Sequence, residues 1–189
     1  MTTTLNETKF RFCPACGGPV SIYEEHDDII DALRCDACRS IWWQNSKPGA
    51  GAFIINSKQQ ILLTRRAIEP YKDMWDIPGG FLKNGEDPRT GLKREIEEEL
   101  AIEVTIEPVV SLTIDRYGDD GDFTLNLFFL AHPLSEDFKP GDDVASCRWF
   151  DLWDLPDDIA FESFRNAIEE YRDFTYKKTR RTTIAARRK

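Results

Sequence analysis

Three glutamates, Glu95, Glu98 and Glu99, stand close together in the run REIEEEL. On a helix the spacing i, i+3, i+4 turns their carboxylates to one side, while Glu97 points elsewhere into solvent. Like charges on one helix face repel by roughly a few tenths of a kcal/mol per pair. A divalent cation reverses that penalty, and magnesium takes carboxylate oxygens together with substrate phosphates. A plain solvated face is the alternative reading of such a run. A second constellation is Cys13-Pro-Ala-Cys16 followed by Cys35-Asp-Ala-Cys38, a C-x2-C-x18-C-x2-C pattern. That spacing suits a tetrathiolate zinc site with arms of ~2.3 Å. Four cysteines leave no open coordination position, so this zinc is expected to be structural. Two disulfides are the alternative, disfavoured in a chain that reads as intracellular.

The glutamates sit inside a longer stretch, Pro78 to Ile102, reading PGGFLKNGEDPRTGLKREIEEELAI. Its order is Gly80, five residues, Glu86, seven residues, Arg94-Glu95-Ile96, one residue, Glu98-Glu99, one residue, Ala101-Ile102. This order resembles the Nudix box of the Nudix hydrolases. One position departs, with Ala101 where the family usually has glycine. The resemblance implies an α/β/α Nudix sandwich and attack of water on a phosphorus of a pyrophosphate linkage. It also implies Glu98 and Glu99 as principal Mg²⁺ (or Mn²⁺) ligands, with Glu95 a ligand or the base. Arg94 is expected to orient the carboxylates, and Glu86 to support the loop or bind a further ion. The general base is expected on a later loop, where Asp119, Asp120, Asp122, Asp142 and Asp143 are the candidates.

A zinc ribbon ahead of such a domain resembles the NADH pyrophosphatase branch and related FAD-active hydrolases. That branch carries a Ser-Gln-Pro-Trp motif after the box, whereas Glu107 to Tyr117 here reads EPVVSLTIDRY. Tyr117 lies about where diadenosine polyphosphate hydrolases place a tyrosine. The expected substrate is therefore a nucleoside diphosphate joined to another group, of the ADP-ribose, FAD, NADH or dinucleoside polyphosphate type. The alternatives are a pyrophosphohydrolase of nucleoside triphosphates or RNA 5′ ends, and a non-catalytic nucleotide sensor with a nucleic-acid-binding ribbon.

Other elements must position these groups. Asp87 reads as an N-cap with Pro88 at the first helical position. Leu92, Ile96 and Leu100 then make an apolar stripe that faces a core. Gly79 and Gly80 allow the backbone to come close to that helix, and a carbonyl at Gly80 could reach a metal. Ala50–Ile55 and Gln60–Thr64, joined by a turn at Asn56–Gln59, read as a hairpin. It ends at Arg65-Arg66, and Arg66 is a candidate phosphate contact. Tyr71, Trp75, Phe81 and Tyr117 are candidate ring-stacking groups, Tyr117 also as a substrate contact. Glu103 to Asp115 reads as two strands broken at Pro108. Phe123–Ala131 alternates as a strand, Ser146–Phe150 is another, and Phe161, Phe164, Ile168 and Tyr171 mark a terminal amphipathic helix.

These elements give an α/β (α+β) class with a mixed sheet. The expected organisation is a flexible N-terminus at 1–9, a zinc ribbon at 10–47, the Nudix domain at 48–175 and a basic disordered tail at 176–189. With 189 residues and a net charge of −9, the acidic body is a poor bare surface for phosphates or nucleic acid, so cations must mediate phosphate contact. No run reaches the ~18–20 apolar residues of a membrane span, and the start shows no secretory signal. The expectation is a cytoplasmic protein with a small nucleotide substrate and no membrane or nucleic-acid partner. A homodimer remains open.

Overall fold

The computed structural model describes residues 10–25, 28–119 and 121–186, and of 24–25, 28–31 and 176–186 the backbone only. His26, Asp120 and the expected flexible N-terminus at 1–9 lie outside the described residues. The chain divides into two compact units, Met1–Asn45 and Ser46–Lys189.

The first unit is a three-stranded antiparallel sheet of β1 (Val20–Glu25), β2 (Asp28–Cys35) and β3 (Ile41–Trp43), in that spatial order. Two tight turns carry the cysteines, one ahead of β1 and one between β2 and β3. In the first, the Cys13 N–H donates to Gly18 O and the Gly17 N–H to Cys13 O. The second repeats the pattern, with Cys35 N–H to Ser40 O and Arg39 N–H to Cys35 O. Gly17 and Arg39 occupy the same place in the two turns, with φ of 71° and 65°.

The second unit holds two sheets and two helices. One sheet runs β7 (Gly79–Phe81), β4 (Lys47–Ile54), β9 (Phe123–Pro133), β8 (Val104–Arg116). Its β4–β9 pair is parallel and the others antiparallel. The other runs β10 (Val144–Asp151), β5 (Gln60–Arg66), β6 (Trp75–Asp76). Helix α1 spans Pro88–Leu100 and α2 spans Glu162–Ala186.

Strand alternation builds the layers, because successive side chains leave opposite faces. On β4, Ala50, Ala52 and Ile54 pack with Leu92, Ile96 and Leu100 of α1. Phe53 and Ile55 face the other way and pack with Phe164, Ala167, Ile168 and Tyr171 of α2. The same split holds on β5, where Leu62 goes to the α1 side and Ile61 and Leu63 to the α2 side. Sheets therefore lie between two helices, the α/β/α sandwich that the resemblance implies.

Three local expectations change. The strands β4 and β5 do not form a hairpin ladder. A tight turn joins them, with Asn56 Oδ1 accepting from the Lys58 and Gln60 N–H groups, but only an Ile55–Ile61 bridge connects them. The edges of β4 are taken by β7 and β9, and those of β5 by β10 and β6. Second, β8 is one strand through Pro108, with register shifts between Ile106 and Ser111. It lies at a sheet edge, where a residue without an N–H and a bulge are tolerated. Third, the backbone of α2 stays helical through Ala186, whereas the sequence reading leaves 176–189 without regular structure. Its Arg, Lys and Ala content favours helix even without an apolar stripe.

Candidate active site

The α1 helix begins as its cap residues dictate. Asp87 accepts hydrogen bonds from the Arg89 and Thr90 N–H groups at 3.0 and 3.1 Å, with Pro88 at the first helical position. The helix ends with Ala101 in the left-handed region, φ 53° and ψ 37°, its N–H bonded to Glu97 O. The turn usually served by glycine thus forms with alanine.

Arg94 is the hub of the carboxylate cluster. It forks onto Glu86 with Nε–Oε1 and Nη2–Oε2 distances of 2.9 Å each. Its Nη1 donates to Glu95 at 2.7 Å and to Glu98 at 3.2 Å. Beside Arg94 and the Lys83 N–H, the Glu86 carboxyl is held down to about 2. The approach of Glu86 to the helix depends on Gly91. A Cβ there would lie 2.6 Å from Leu82 Cδ2 and 2.9 Å from Glu86 Oε2.

Glu99 sits deeper. Its Oε2 accepts the Gly79 N–H at 3.1 Å. Burial, with the charges of Asp76, Glu95 and Asp143, pushes its carboxyl up to about 8 against the help of that N–H. Gly79 adopts φ 145°, and a Cβ on it would fall 2.2 Å from Ala50 O, so no other residue fits. Asp143 arrives on the loop before β10. That loop is pinned to the end of α1, where the Gly141 and Lys139 N–H groups donate to the otherwise unpaired Glu99 and Leu100 carbonyls.

Glu95, Glu99 and Asp143 line one lobe of a cleft. Glu98 does not line this lobe, and its side chain is 57% exposed. Arg94 draws the Glu95 and Glu98 carboxylates to itself while Gly79 holds Glu99. The three glutamates share a face, but among the described residues only the four cysteines bring their ligand atoms within 4.8 Å of one another. The glutamate set still fits a divalent cation by chemistry, since its carboxylates are hard oxygen donors and a cation would offset the burial that drives Glu99 toward protonation.

The second lobe shares Arg66, Asp76, Ile77, Gly79, Gly80, Phe81 and Tyr117 with the first. Its wall is aromatic. Tyr117 stacks on Phe161 with centroids 5.6 Å apart, and Phe81 meets Tyr117 edge-on at 5.1 Å. Tyr71 meets Phe161 edge-on at 5.2 Å but lines neither lobe. On the α2-facing side of β4, Gly49 and Gly51 hollow the lobe out, ahead of Phe53 and Ile55.

Arg66 lies at the junction, but all three of its nitrogens are engaged: Nε with Pro70 O, Nη1 with Asp76 and Nη2 with the Tyr117 hydroxyl. Burial raises the Asp76 carboxyl to about 6 even with Arg66 beside it. The geometry makes Arg66 first a support for Tyr117.

Several sequence candidates move. Trp75 is 9% exposed and packs edge-on against Phe150 in the core, so it lines neither lobe. Asp119 accepts from the Tyr71 hydroxyl and Asp122 pairs with Lys47. Asp142 is exposed and lines neither lobe. Of the described loop acids, only Asp143 lies with the box carboxylates. Phe161 was legible only as a helix marker, yet it precedes α2 and forms the cleft wall. Asn126, the one amide on β9, was the signal available for the lobe's polar floor.

In the first unit the Sγ atoms of Cys13 and Cys38 lie 3.7 Å apart, and those of Cys16 and Cys35 3.5 Å. A tetrahedron with 2.3 Å arms has edges of about 3.8 Å, whereas a disulfide is about 2.05 Å. A Cβ on Gly18 would press to 2.9 Å from Ala37 and 3.3 Å from Cys35 Sγ. The thiols thus form a zinc-sized cradle.

Residues 45–171 match a family model described as the NUDIX domain. A NUDIX hydrolase crystal structure from Nitrosomonas europaea superposes with a TM-score of 0.67 at 31% identity, covering 85% of this chain and 92% of that one. The chain is 29% identical over 118 residues to an ADP-ribose pyrophosphatase of Methanocaldococcus jannaschii, spanning 62% of this chain and 69% of the relative. It is 28% identical over 109 residues to a putative 8-oxo-dGTP diphosphatase of Bacillus subtilis, spanning 57% and 68%. Among the described residues no helix is long and apolar enough to cross a membrane.

Proposed function

This chain belongs to the Nudix family and is a hydrolase of pyrophosphate bonds, and on that premise we propose that its substrate is a nucleoside diphosphate linked to a second moiety. ADP-ribose is the first candidate, with FAD, NADH and dinucleoside polyphosphates behind it. The observation that carries this reading is the two-lobed cleft. Carboxylates line one lobe, rings line the other, and Gly79 and Gly80 lie between them. A pyrophosphate over the carboxylate lobe leaves its nucleoside beside Phe81, Tyr117 and Phe161. The ADP-ribose pyrophosphatase from M. jannaschii supports the same choice.

We assign Glu95, Glu98 and Glu99 as holders of Mg²⁺ (or Mn²⁺), with the Gly80 carbonyl as a further donor. When bound, the cation neutralises phosphate charge and lowers the pKa of coordinated water. Arg94 restrains Glu95 and Glu98 through its hydrogen bonds, and Glu86 holds Arg94. In this reading Asp143, the described loop acid that lines the lobe with Glu99, takes the proton of the attacking water. Arg66 fixes the Tyr117 hydroxyl, and Tyr117 with Phe161 presents a flat apolar wall. Cys13, Cys16, Cys35 and Cys38 hold a structural zinc that stabilises a ribbon too small for a core of its own.

The test is product analysis by mass. With Mg²⁺, ADP-ribose should give AMP and ribose 5-phosphate. Release of inorganic pyrophosphate from a nucleoside triphosphate, with ADP-ribose untouched, would replace this reading with the triphosphate one.

A further inference from the structure

The aromatic lobe has a polar floor whose hydrogen-bond direction can be deduced. The Thr124 hydroxyl lies 3.2 Å from the Asp115 carbonyl oxygen and 3.0 Å from Asn126 Nδ2. A carbonyl oxygen can only accept, so the Thr124 proton goes to Asp115. The Thr124 oxygen must then accept from Asn126, which fixes the amide the right way round. Thr124 is 4% exposed, so water does not compete for these groups. The Asn126 oxygen is consequently turned away from Thr124, 3.3 Å from where a Cβ on Gly49 would stand. Gly49 pairs with Asn126 across the parallel β4–β9 ladder, and its missing side chain leaves that oxygen open to the lobe.

We propose that Asn126 is the specificity-determining residue of the aromatic lobe, its amide oxygen accepting a hydrogen bond from the exocyclic amine of an adenine base. Thr124 is its positioning residue. An acceptor held in this way favours a base that offers a donor and disfavours one that offers a carbonyl, where two acceptors meet and both stay unpaired. Hypoxanthine has a carbonyl in place of that amine and a proton on the neighbouring N1, so an amide oxygen held opposite the amine position meets an acceptor there. The inference rests on the reading that the substrate's nucleoside occupies this lobe.

The test compares ADP-ribose with inosine diphosphate ribose on the full-length protein, measuring kcat/KM for both with one preparation of each variant. The ratio cancels the folded fraction, and a thermal melt checks that each variant folds. The wild type should prefer ADP-ribose by about tenfold or more, the size of a single good base contact. Asn126→Ala should bring the ratio near one through loss on ADP-ribose. Thr124→Val, which keeps Asn126 but lets its amide turn over, should lower the ratio part of the way. A wild type indifferent to the base, or an Asn126→Ala variant that keeps the wild-type ratio, overturns the inference while leaving the proposed activity standing. A wild type that cleaves neither compound overturns the proposed activity itself, and with it the inference.

Discussion

Glu86 and Arg94 are joined by two parallel hydrogen bonds of 2.9 Å, so the loop before α1 is locked to the helix it precedes. The lock closes only because Gly91 has no side chain where Glu86 crosses. Helix propensity alone favours Gly91→Ala by about 1 kcal/mol. Contact with Leu82 and Glu86 should win instead, because overpacking a tight site costs about 1–3 kcal/mol. Denaturant unfolding should show a net loss of stability, with reduced turnover as Arg94 is displaced. A stabilised, fully active variant would contradict the lock.

Glu99 should couple magnesium binding to pH. Its carboxyl is pushed up to about 8 from an ordinary 4.5. Below about 8 the metal-free protein keeps it protonated, so the cation must displace a proton. Magnesium affinity should rise with pH toward about 8 and level off above it. Over the same window, from 4.5 to about 8, Glu99 by itself makes the metal-free protein less stable as pH rises, because the unfolded chain has already ionised. Calorimetric titration at several pH values reads the first effect. Glu99→Gln should lose both the pH dependence and most of the turnover, and near-normal kcat at saturating Mg²⁺ would remove Glu99 from the metal site.

Ala101 holds a left-handed conformation that an L side chain adopts at a cost of about 1–2 kcal/mol. Gly regains that strain but loses some through its freer unfolded chain. Ala101→Gly should stabilise the second unit by about 0.5–1 kcal/mol, read from the midpoint of denaturant unfolding. A destabilised variant would mean that the methyl group packs usefully.

Purified protein should contain one zinc per chain by elemental analysis. Chelation, or Cys35→Ser at the fully buried ligand position, should unfold the first unit. Zinc-free protein with a single free thiol, that of Cys147, would establish two disulfides instead.

What was legible in the sequence was local. The cap at Asp87, the stripe of Leu92, Ile96 and Leu100, and the spacing of the four cysteines are each set by residues a few positions apart. What escaped depends on distant partners. The β4–β5 turn is visible in Asn56, but the strands separate because β9 and β10, from much later in the chain, claim their edges. Phe161 carries an apolar pattern that suits a helix, and only the docking of α2 brings its ring against Tyr117. Asp143 could not be told from its neighbours until Gly141 was seen bonded to the end of α1. The glycines at 49 and 51 recur at strand period, a local sign of a hollow whose contents only the sheet order supplies.

The central claim is that this cleft prefers a linked nucleoside diphosphate to a triphosphate. The direct measurement is a competition in one Mg²⁺ reaction among equimolar ADP-ribose, ATP, GTP and a 5′-triphosphorylated oligoribonucleotide, with the product of each followed by mass. ADP-ribose should be consumed first, giving AMP and ribose 5-phosphate. Consumption of any triphosphate tenfold faster, equivalent to about 1.4 kcal/mol of transition-state binding, would contradict the account.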